Sequence, residues 1–258
     1  MKCVPQTIWL SLCLALMCTM TMAADAPGRP RPAPYPAEMN KRFTDPHADI
    51  QQFVQRFEND ARDIYVKRRE ITQVVGLRPG EAVADIGAGT GLFTELFAEQ
   101  VGPKGTVFAV DIGPAFLKHI VERAKQRGHE QLVKTVLNKP DSVELPPGSI
   151  DVAFLCDTYH HFEHPEKMLD SIQRALRPGG RLVVIDFDLR PNCSEFVKQR
   201  ARAPKEVYYG EITAAGFELI DRQDVPTIHD NFYAEFRRVR REPQAPPAAA
   251  RNRPEAGR

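Results

Sequence analysis

The sequence contains a glycine-rich segment whose residue types and spacing suit the binding of a small molecule. Gly87, Gly89 and Gly91 follow a short apolar run and open a pattern with helical spacing. Glycine lets the backbone bend sharply and lets a ligand approach without a Cβ in the way, and a helix N-terminus offers N–H groups to that ligand. Asp111 lies 20 residues after Gly91, a spacing at which a carboxylate can accept hydrogen bonds from both ribose hydroxyls. Together these features predict a site for a ligand that contains adenosine.

The charge near the first glycine distinguishes between ligands of this type. Asp85 stands two residues before Gly87, and the spacing is Gly-x-Gly-x-Gly, whereas the dinucleotide fingerprint is Gly-x-Gly-x-x-Gly. A carboxylate repels a pyrophosphate but attracts a sulfonium or an ammonium group. S-adenosylmethionine carries both of these cations and no phosphate, so the sequence favours it over NAD(P). An NAD(P)-binding oxidoreductase is the less favoured alternative, and none of the six tyrosines is followed four residues later by lysine, as in short-chain dehydrogenases.

A second group of reactive side chains follows the fourth apolar run of the chain. It contains Asp157, Tyr159, His160 and His161. With S-adenosylmethionine as the ligand, the expected chemistry is methyl transfer from its sulfonium, an in-line displacement that depends on placing the acceptor and excluding water. A base is needed only where an oxygen or nitrogen acceptor must lose a proton, and histidine titrates in the range for that task. His160 and His161 are therefore the predicted acid–base candidates, with Tyr159 and Asp157 lining or orienting the site.

The same segment also contains residue types suited to metal binding and to disulfide formation. Three histidines and Glu163 lie within residues 160–164, but side chains on a turn diverge and no second cluster of metal ligands occurs elsewhere, so no metal site is predicted. Cys156 is expected to be a small buried hydrophobe at the end of its strand. A disulfide between Cys156 and Cys193 is an alternative that would require an oxidising compartment.

The elements that must position these residues follow from the apolar pattern. Short runs predict strands at Ala82–Ile86, Thr106–Val110, Val133–Leu137, Val152–Leu155 and Leu182–Phe187, with helices at Gly91–Val101, Pro114–Gln126 and Pro165–Ala175. The runs are nearly continuous, as strands buried on both faces require, so we expect a doubly wound α/β fold with a parallel sheet. A helix is predicted from Pro204 to about Ala215, followed by two strands at Phe217–Asp221 and Phe232–Val239. The connection between these strands is too short for a crossover helix, so we expect the last strand pair to be antiparallel.

Residues from Ile71 to Val239 resemble the class I S-adenosylmethionine-dependent methyltransferases, most closely the small-molecule type. The resemblance rests on the motif Asp-x-Gly-x-Gly-x-Gly at Asp85–Gly91 and on Leu-Arg-Pro-Gly-Gly-Arg-Leu at Leu176–Leu182, which is similar to that family's turn into the fifth strand. It implies a Rossmann-like methyltransferase fold with a seven-stranded, mostly parallel sheet and a reversed last strand pair. It also implies methyl transfer to a small-molecule acceptor. A protein of the same fold that binds the cofactor without turnover is the alternative.

The resemblance also implies roles for particular residues. In relatives a similar His-His-Phe run commonly packs the cofactor pocket, so lining is the alternative to acid–base work for His160 and His161. Asp85 would take the amino group of S-adenosylmethionine, Asp111 with its neighbour Ile112 the ribose, and Asp141 the adenine amino group. The turn after the first strand would cradle the methionine part, and an acidic residue after the fourth strand would also contact the cofactor. These remaining cofactor-binding residues are Gly87, Ala88, Gly89, Thr90 and Gly91 in the turn, and Asp157.

Two added segments are expected to shape the acceptor pocket. The first is an amphipathic helix over Asp49–Val75, broken once at most, with Asp49 as its N-cap. The second is Asp188–Val207. Both carry basic side chains, which we expect mainly to face solvent, with contact to an acidic acceptor as the alternative. The polar residues concerned are Arg62, Tyr65, Arg69, Arg190, Arg200, Arg202 and Lys205.

Composition and the chain ends complete the predicted organisation. The chain has 258 residues, 42% of them hydrophobic, and a formal net charge of +1, which disfavours a charge-driven nucleic-acid binder. Lys2, an apolar run and Thr21-Met22-Ala23 predict a signal peptide and export, with an uncleaved membrane anchor as the alternative. Export would separate the enzyme from the cytoplasmic supply of cofactor. The predicted divisions are a signal peptide at 1–23, a Pro-rich linker at 24–48, a methyltransferase domain at 49–241 and a disordered tail at 242–258.

Overall fold

A central sheet organises the computed structural model, which describes residues 37–220 and 227–239. The described residues form seven strands in the order β3-β2-β1-β4-β5-β7-β6. Strands β1 to β5 pair in parallel, whereas β7 runs antiparallel to both β5 and β6. The fold class predicted from the sequence is therefore confirmed. The strands are β1 Ala82–Ile86, β2 Thr106–Asp111, β3 Val133–Leu137, β4 Ile150–Cys156, β5 Leu176–Phe187, β6 Phe217–Ile220 and β7 Asn231–Arg238.

Helices cover both faces of the sheet. Alternate residues of β1 show this, since Val83 belongs to one core cluster and Ala84 and Ile86 to another. Phe97 packs on Phe154 on the first side, with ring centroids 4.9 Å apart. The described helices are α1 Ala37–Thr44, α2 Ile50–Phe57, α3 Asp63–Val66, α4 Arg68–Val75, α5 Leu92–Val101, α6 Pro114–Gln126, α7 Pro165–Ala175, α8 Glu195–Lys198 and α9 Lys205–Ala214.

The strand order determines where a ligand can bind. Ile86 of β1 is paired with Val110 of β2 on one side and with Leu155 of β4 on the other. The chain passes outward from β1 to β3 and then returns to the opposite side of β1 to form β4. In open α/β sheets such a reversal leaves a crevice outside the carboxyl ends of the strands. The loops that follow β1, β2 and β4 therefore meet at one crevice.

The N-terminal helical segment differs from its prediction. One helix with at most one break was expected over Asp49–Val75, but the structure contains α2, α3 and α4, with breaks at residues 58–62 and at Lys67. Asp49 caps α2 as expected, because its Oδ1 accepts the backbone N–H of Gln51 at 3.0 Å. The break after α2 redirects the chain across the carboxyl end of the sheet.

The predicted boundary between linker and domain is also corrected. Residues 24–48 were expected to form a Pro-rich linker, yet Ala37–Thr44 form α1 and pack against the rest of the fold. Leu176–Leu182, expected as a turn, belongs to β5, and Gly179 accommodates the local bend with a φ of 80°. The signal peptide predicted at 1–23 and the tail at 242–258 lie outside the described residues. No helix within the described ranges is long and apolar enough to cross a membrane.

Candidate active site

A cleft of about 640 Å³ opens at the carboxyl ends of β1, β2 and β4. Two sets of residues line it, which we call the floor and the roof. The floor consists of lining residues within 85–90, 111–112 and 156–161, which follow the three strands. The roof consists of lining residues within 40–64, 187–200 and 229–231, which come from α1 to α3 and from the segments around α8 and β7. Such an enclosed, largely preformed cleft suits a small molecule.

The glycine turn is tied to β2 by its backbone. The N–H groups of Gly87 and Ala88 both donate to the carbonyl of Val110, at 2.8 and 3.1 Å. Gly87 has a φ of 72°, and a Cβ there would lie 2.3 Å from Oγ1 of Thr158. Gly89 has a φ of 52°, but its Cβ would meet nothing closer than 3.9 Å. Gly87 is therefore required by packing, whereas Gly89 lines the cleft, where a Cβ would lie at van der Waals distance from the ring of Phe57.

Gly91 has a different role from the predicted one. It was expected to cradle the ligand, but it does not line the cleft. A Cβ at Gly91 would lie 2.9 Å from the side chain of Ile120 in α6, and its φ is 81°. Gly91 therefore allows α5 to begin close to α6. Its neighbour Thr90 does line the cleft, with a buried side chain.

Asp111 is held firmly at the end of β2. Its Oδ1 accepts the N–H of Gly113 and its Oδ2 accepts the N–H of Gly89, each at 2.8 Å. Burial raises the pKa of Asp111 to about 6, although these backbone N–H donors oppose the increase. Ile112 lines the cleft beside it. A carboxylate with both oxygens fixed in this way can still accept further hydrogen bonds from a diol.

Asp85 supplies a second buried carboxyl at the end of β1. Its Oδ2 accepts the hydroxyl of Thr94 in α5 at 2.6 Å, a partner that was not predicted from the sequence. Burial raises the pKa of Asp85 to about 7, and repulsion from Asp111 adds to the increase. A cation bound in the cleft would favour the ionised form of Asp85. The residues present thus fit a ligand that carries a positive group and a ribose.

Asp157 connects the floor to the roof. Its φ of 51° is a left-handed conformation that costs a non-glycine residue about 1–2 kcal/mol, so surrounding contacts must maintain it. Its Oδ2 forms an ion pair with Arg62, and its Oδ1 accepts the side-chain amide of Asn231 at 2.6 Å. Burial raises the pKa of Asp157, whereas Arg62 opposes this effect. Asp157 lines the cleft as predicted, but its carboxyl already binds two protein donors.

His160 is oriented by a buried carboxylate. Its Nδ1 lies 2.8 Å from Oδ1 of Asp186, and its backbone N–H donates to Oδ2 of Asp186 at 3.1 Å. Because a carboxylate only accepts hydrogen bonds, Nδ1 carries the proton and Nε2 is the nitrogen that can take one up. His160 lines the cleft, whereas Asp186, at the end of β5, was not predicted as a site residue.

His161 is bound by α1. The amide nitrogen of Asn40 donates to the carbonyl of His161 at 3.0 Å and to Oε1 of Glu163 at 2.9 Å, so Oδ1 of Asn40 is the acceptor for Nδ1–H of His161 at 3.0 Å. Phe43 packs edge-on against the imidazole, with centroids 5.2 Å apart. Burial lowers the pKa of His161 to about 2, and repulsion from His160 and Arg42 makes smaller contributions in the same direction. His161 is therefore neutral at ordinary pH and unsuited to act as a base.

Two predicted site residues lie away from the cleft. Tyr159, a predicted catalytic residue, is fully buried and donates its hydroxyl hydrogen to Oε2 of Glu211 at 2.9 Å, so that prediction is wrong. Its ring packs against Tyr208, with centroids 5.2 Å apart. Asp141, expected at the adenine, is half-exposed and accepts from Nζ of Lys167 at 3.5 Å. Residues 138 and 140 line the cleft, but Asp141 does not.

The alternatives based on metal and disulfide chemistry find no support in the part of the chain that the structure describes. Within it, no group of three or more His, Cys, Asp or Glu side chains could hold a metal ion. Cys156 and Cys193 are both free, so the structure does not contain the disulfide considered above. Burial raises the pKa of the Cys156 thiol well above its usual range, which keeps the thiol protonated.

Comparison of the sequence with known proteins locates the similarity in the floor. A family model described as "Methyltransferase domain" matches residues 84–184. A ubiquinone/menaquinone biosynthesis C-methyltransferase UbiE of Ectopseudomonas mendocina is 36% identical over 120 residues, which are 46% of this chain and 47% of that protein. The UbiE protein of Methylococcus capsulatus is 33% identical over 132 residues, or 50% of this chain and 53% of the relative. The chain thus spans about half the length of the curated relatives it matches.

Comparison of the structure extends the likeness beyond the matched domain. A solved S-adenosylmethionine-dependent methyltransferase from Aquifex aeolicus covers 74% of this chain, with 99% of its own length matched and a TM-score of 0.62. The two sequences are 21% identical, so this likeness concerns the fold. The chain therefore has the Rossmann-like methyltransferase fold, and its sequence match to a methyltransferase domain covers the strands and loops that build the floor.

Proposed function

We propose that the protein is an S-adenosylmethionine-dependent methyltransferase that acts on a small-molecule acceptor. One observation carries the proposal: at the carboxyl ends of two adjacent parallel strands, the glycine turn that follows the buried carboxyl of Asp85 donates the N–H of Gly89 to the buried carboxyl of Asp111. When bound, S-adenosylmethionine supplies a methyl group activated by a sulfonium. The protein residues have to bind, orient and shield the two reactants.

The floor supplies the groups that would hold the cofactor. Asp111 is preorganised by the N–H groups of Gly89 and Gly113, and its remaining lone pairs can accept the two ribose hydroxyls. Asp85, raised in pKa by burial, becomes ionised beside the positive end of the ligand. The backbone of the turn permits close approach because a Cβ at position 89 would otherwise occupy that space.

His160 is the residue that can handle a proton at the acceptor. Its proton lies on Nδ1, toward Asp186, so Nε2 can take the proton from an oxygen or nitrogen acceptor. The buried carboxylate of Asp186 would stabilise the resulting imidazolium. His161 lines the cleft and anchors α1 through Asn40, and its low pKa assigns it no proton transfer. Where the acceptor loses no proton, His160 has only the lining role.

The roof would exclude water from the transfer. Aromatic side chains from separate segments pack over the floor, with Phe43 5.8 Å from Phe53 and Phe53 4.9 Å from Phe116. Phe187 lies 5.1 Å from His160 on the other side. An apolar enclosure of this kind limits solvent access while the acceptor is held in line with the methyl group.

Binding and turnover test the proposal separately. Calorimetry with S-adenosylmethionine, S-adenosylhomocysteine and NADH should show binding of the first two only, and the same ligands should raise the melting temperature. Formation of S-adenosylhomocysteine in the presence of cell extract would then establish methyl transfer. Binding without turnover in fractionated extracts would instead favour the non-catalytic alternative. Binding of NADH alone would overturn the proposal.

We also retain export as a proposal. Lys2, the apolar run after it and the small residues at positions 21–23 support a cleaved signal peptide. N-terminal sequencing of the protein from fractionated cells tests it. A mature chain that begins at Ala24 outside the cytoplasm is expected, and an intact N-terminus in the cytoplasmic fraction would contradict it.

A further inference from the structure

The roof of the cleft contains four arginines that come from four separate segments. Arg42 belongs to α1, Arg56 to α2, Arg62 precedes α3 and Arg200 follows α8, and all four line the cleft. The sequence separates them by up to 158 positions, so only the fold brings them together. Like charges gathered at one place oppose folding unless something compensates them.

Only one of the four has a carboxylate partner within the described ranges. Arg62 is paired with Asp157. The guanidinium of Arg42 lies over the ring of Phe43, 4.5 Å from its centroid, and that of Arg200 lies 3.7 Å from the centroid of Phe196. Neither of these two, nor Arg56, forms an ion pair with any carboxylate among residues 37–220 and 227–239.

All four arginines border the same cleft, and Arg42 and Arg56 are exposed to solvent. The pKa of Arg56 is lowered from its usual range, first by partial burial and then by repulsion from Arg42, Arg200 and Arg62. Arg42 also contributes to the lowered pKa of His161 at the boundary with the floor. The arginines of the roof therefore belong to the same cleft as the two histidines.

The carboxylates of the roof are already occupied by other partners. Oδ2 of Asp63 lies 2.6 Å from Nδ1 of His229, and Glu163 accepts from Asn40. Oδ1 of Asp230 accepts from the hydroxyl of Ser194 at 3.1 Å. The remaining cleft carboxyls, at positions 85, 111 and 157, belong to the floor. Of the cleft carboxyls, three thus lie at the strand ends, and three guanidinium groups of the roof have no carboxylate partner among the described residues.

Apolar surface lies directly beside the arginines. Phe196, under Arg200, packs edge-on against Phe187 with centroids 5.6 Å apart, and Phe187 reaches His160 at 5.1 Å. A molecule with an apolar body could therefore extend from the guanidinium groups along these rings to the imidazole. The planar guanidinium matches carboxylate and phosphate oxygens with two parallel hydrogen bonds.

We propose that the acceptor is a small amphipathic anion whose carboxylate or phosphate binds Arg42, Arg56 and Arg200 while its apolar body packs against Phe187 and Phe196. This inference rests on the proposed function, because it names the substrate class of the same cleft. Arg62 is not assigned to the anion, since it holds Asp157. The methylated atom would lie at the opposite end of the acceptor from the charged group.

Matched amphiphiles test the inference without knowledge of the natural acceptor. Calorimetry on the full chain saturated with S-adenosylhomocysteine would compare octyl phosphate, octanoate and octanol, all below their aggregation limits. The two anions should bind at least about tenfold more tightly than octanol. Arg56→Gln and Arg200→Gln should each weaken octyl phosphate binding by about tenfold and leave octanol unchanged, because each removes one charged hydrogen-bond donor pair.

Controls separate the charge effect from folding and from the source of the anion. Arg78→Gln is the matched control, because Arg78 is exposed and precedes β1, at the end of the sheet opposite to the cleft. Arg56→Lys should retain part of the affinity. Inorganic phosphate should bind weakly, since it lacks the apolar body. Vesicles that contain phosphatidic acid distinguish a membrane headgroup from a dissolved acceptor, and binding to vesicles but not to octyl phosphate would overturn the proposal.

The failures of the two proposals have different signatures. Loss of the proposed function appears as no binding of S-adenosylhomocysteine by the unmodified protein. The anion inference fails on its own when S-adenosylhomocysteine binds normally but octyl phosphate and octanol bind equally. It also fails when Arg78→Gln reduces octyl phosphate binding as much as Arg56→Gln does.

Discussion

The floor and the roof of the cleft are built in different ways. The floor is fixed by backbone: the Gly87 and Ala88 N–H groups bind the carbonyl of Val110, and Asp111 accepts two further backbone N–H groups. The roof is fixed by side chains, through the pairs Arg62–Asp157, Asn40–His161 and Asp63–His229. Backbone contacts depend little on side-chain identity, whereas side-chain contacts change with each substitution. The floor is thus suited to a constant ligand and the roof to a variable one.

The sequence comparison follows the same division. The matched domain, residues 84–184, contains the turn, Asp111 and the histidines. The four arginines of the roof and the rings of Phe187 and Phe196 lie outside it. The relatives' printed names therefore inform the cofactor end of this chain more directly than the acceptor end.

The largest effect is expected at the point where floor and acceptor meet. His160→Asn should lower kcat by about 100-fold or more if the acceptor must lose a proton, and leave the affinity for S-adenosylhomocysteine within about twofold. His164→Asn is the matched control, because His164 is exposed and does not line the cleft. Assays of methyl transfer with the active extract fraction measure kcat for both variants, and calorimetry measures their affinity for S-adenosylhomocysteine. A decrease smaller than about tenfold would assign His160 to lining alone.

A substitution of Asp111 tests the backbone-fixed floor. Asp111→Asn places an amide where Gly89 and Gly113 both donate, and it removes two charge-assisted bonds to the ligand. The affinity for S-adenosylhomocysteine should fall by about 100-fold. Asp141→Asn should change it by less than about twofold, because Asp141 lies outside the lining. Calorimetry measures both variants. A larger loss of affinity for Asp141→Asn than for Asp111→Asn would contradict the role of Asp111 in cofactor binding.

Substitutions of two glycines in the same turn distinguish an effect on ligand binding from an effect on packing. Gly89→Ala should reduce S-adenosylhomocysteine affinity by about tenfold, since the new Cβ would enter the cleft 3.9 Å from the ring of Phe57, and should cost about 1–2 kcal/mol of stability for its left-handed φ. Gly91→Ala should destabilise the protein more, because its Cβ would lie 2.9 Å from Ile120. Denaturant unfolding and calorimetry measure the two effects. Equal losses of affinity per folded molecule would contradict the distinction.

The buried carboxyl of Asp85 predicts how cofactor binding depends on pH. Its pKa is about 7 in the unliganded protein, and a bound cation favours the ionised form, so affinity for S-adenosylmethionine should rise by about tenfold between pH 6 and pH 8. Because the folded pKa is raised, the unliganded protein should lose stability as the pH rises from about 4 through about 7. Asp85→Asn should reduce both slopes, leaving the smaller contribution of Asp111. If Asp85→Asn left the pH dependence of affinity and of stability unaltered, the titration of Asp85 would not be their cause.

The smallest effect is expected away from the cleft. Tyr159→Phe removes the hydrogen bond to Glu211, which retains its pairing with Arg202. The free energy of unfolding should fall by about 1 kcal/mol, and kcat should stay within about twofold. A large loss of kcat without a loss of stability would restore Tyr159 as a catalytic candidate.

Much of the fold was predictable because it is encoded locally. Uninterrupted apolar runs mark strands buried on both faces, and the observed strands begin and end within a few residues of the predicted ones, apart from β5, which begins six residues early. The breaks in the N-terminal helix were not predictable from its apolar spacing. They are determined by contacts such as Arg62 with Asp157, which are 95 residues apart.

The site was predicted in part for the same reason. Glycines with positive φ and carboxylates at strand ends depend on local sequence, so Asp85, Gly89 and Asp111 were identified. Neighbours on a short turn point in different directions, so only the fold could show that Tyr159 is buried and that His160 lines the cleft. Helix α1 was missed because the proline-rich residues before it suggested an extended linker.

The amino-acid sequence by itself determined the order of strands and helices, the open turn at Gly89 and the charge of the groups around it. Each of these depends on residues within one element or its adjoining loop. The tertiary structure alone decided that Asp186 orients His160 from 26 residues away, that Asn40 binds His161 from 121 residues away, and that four arginines face one cleft. Such pairings follow from the path of the whole chain, because burial and strand order bring together groups whose sequence separation carries no signal of contact.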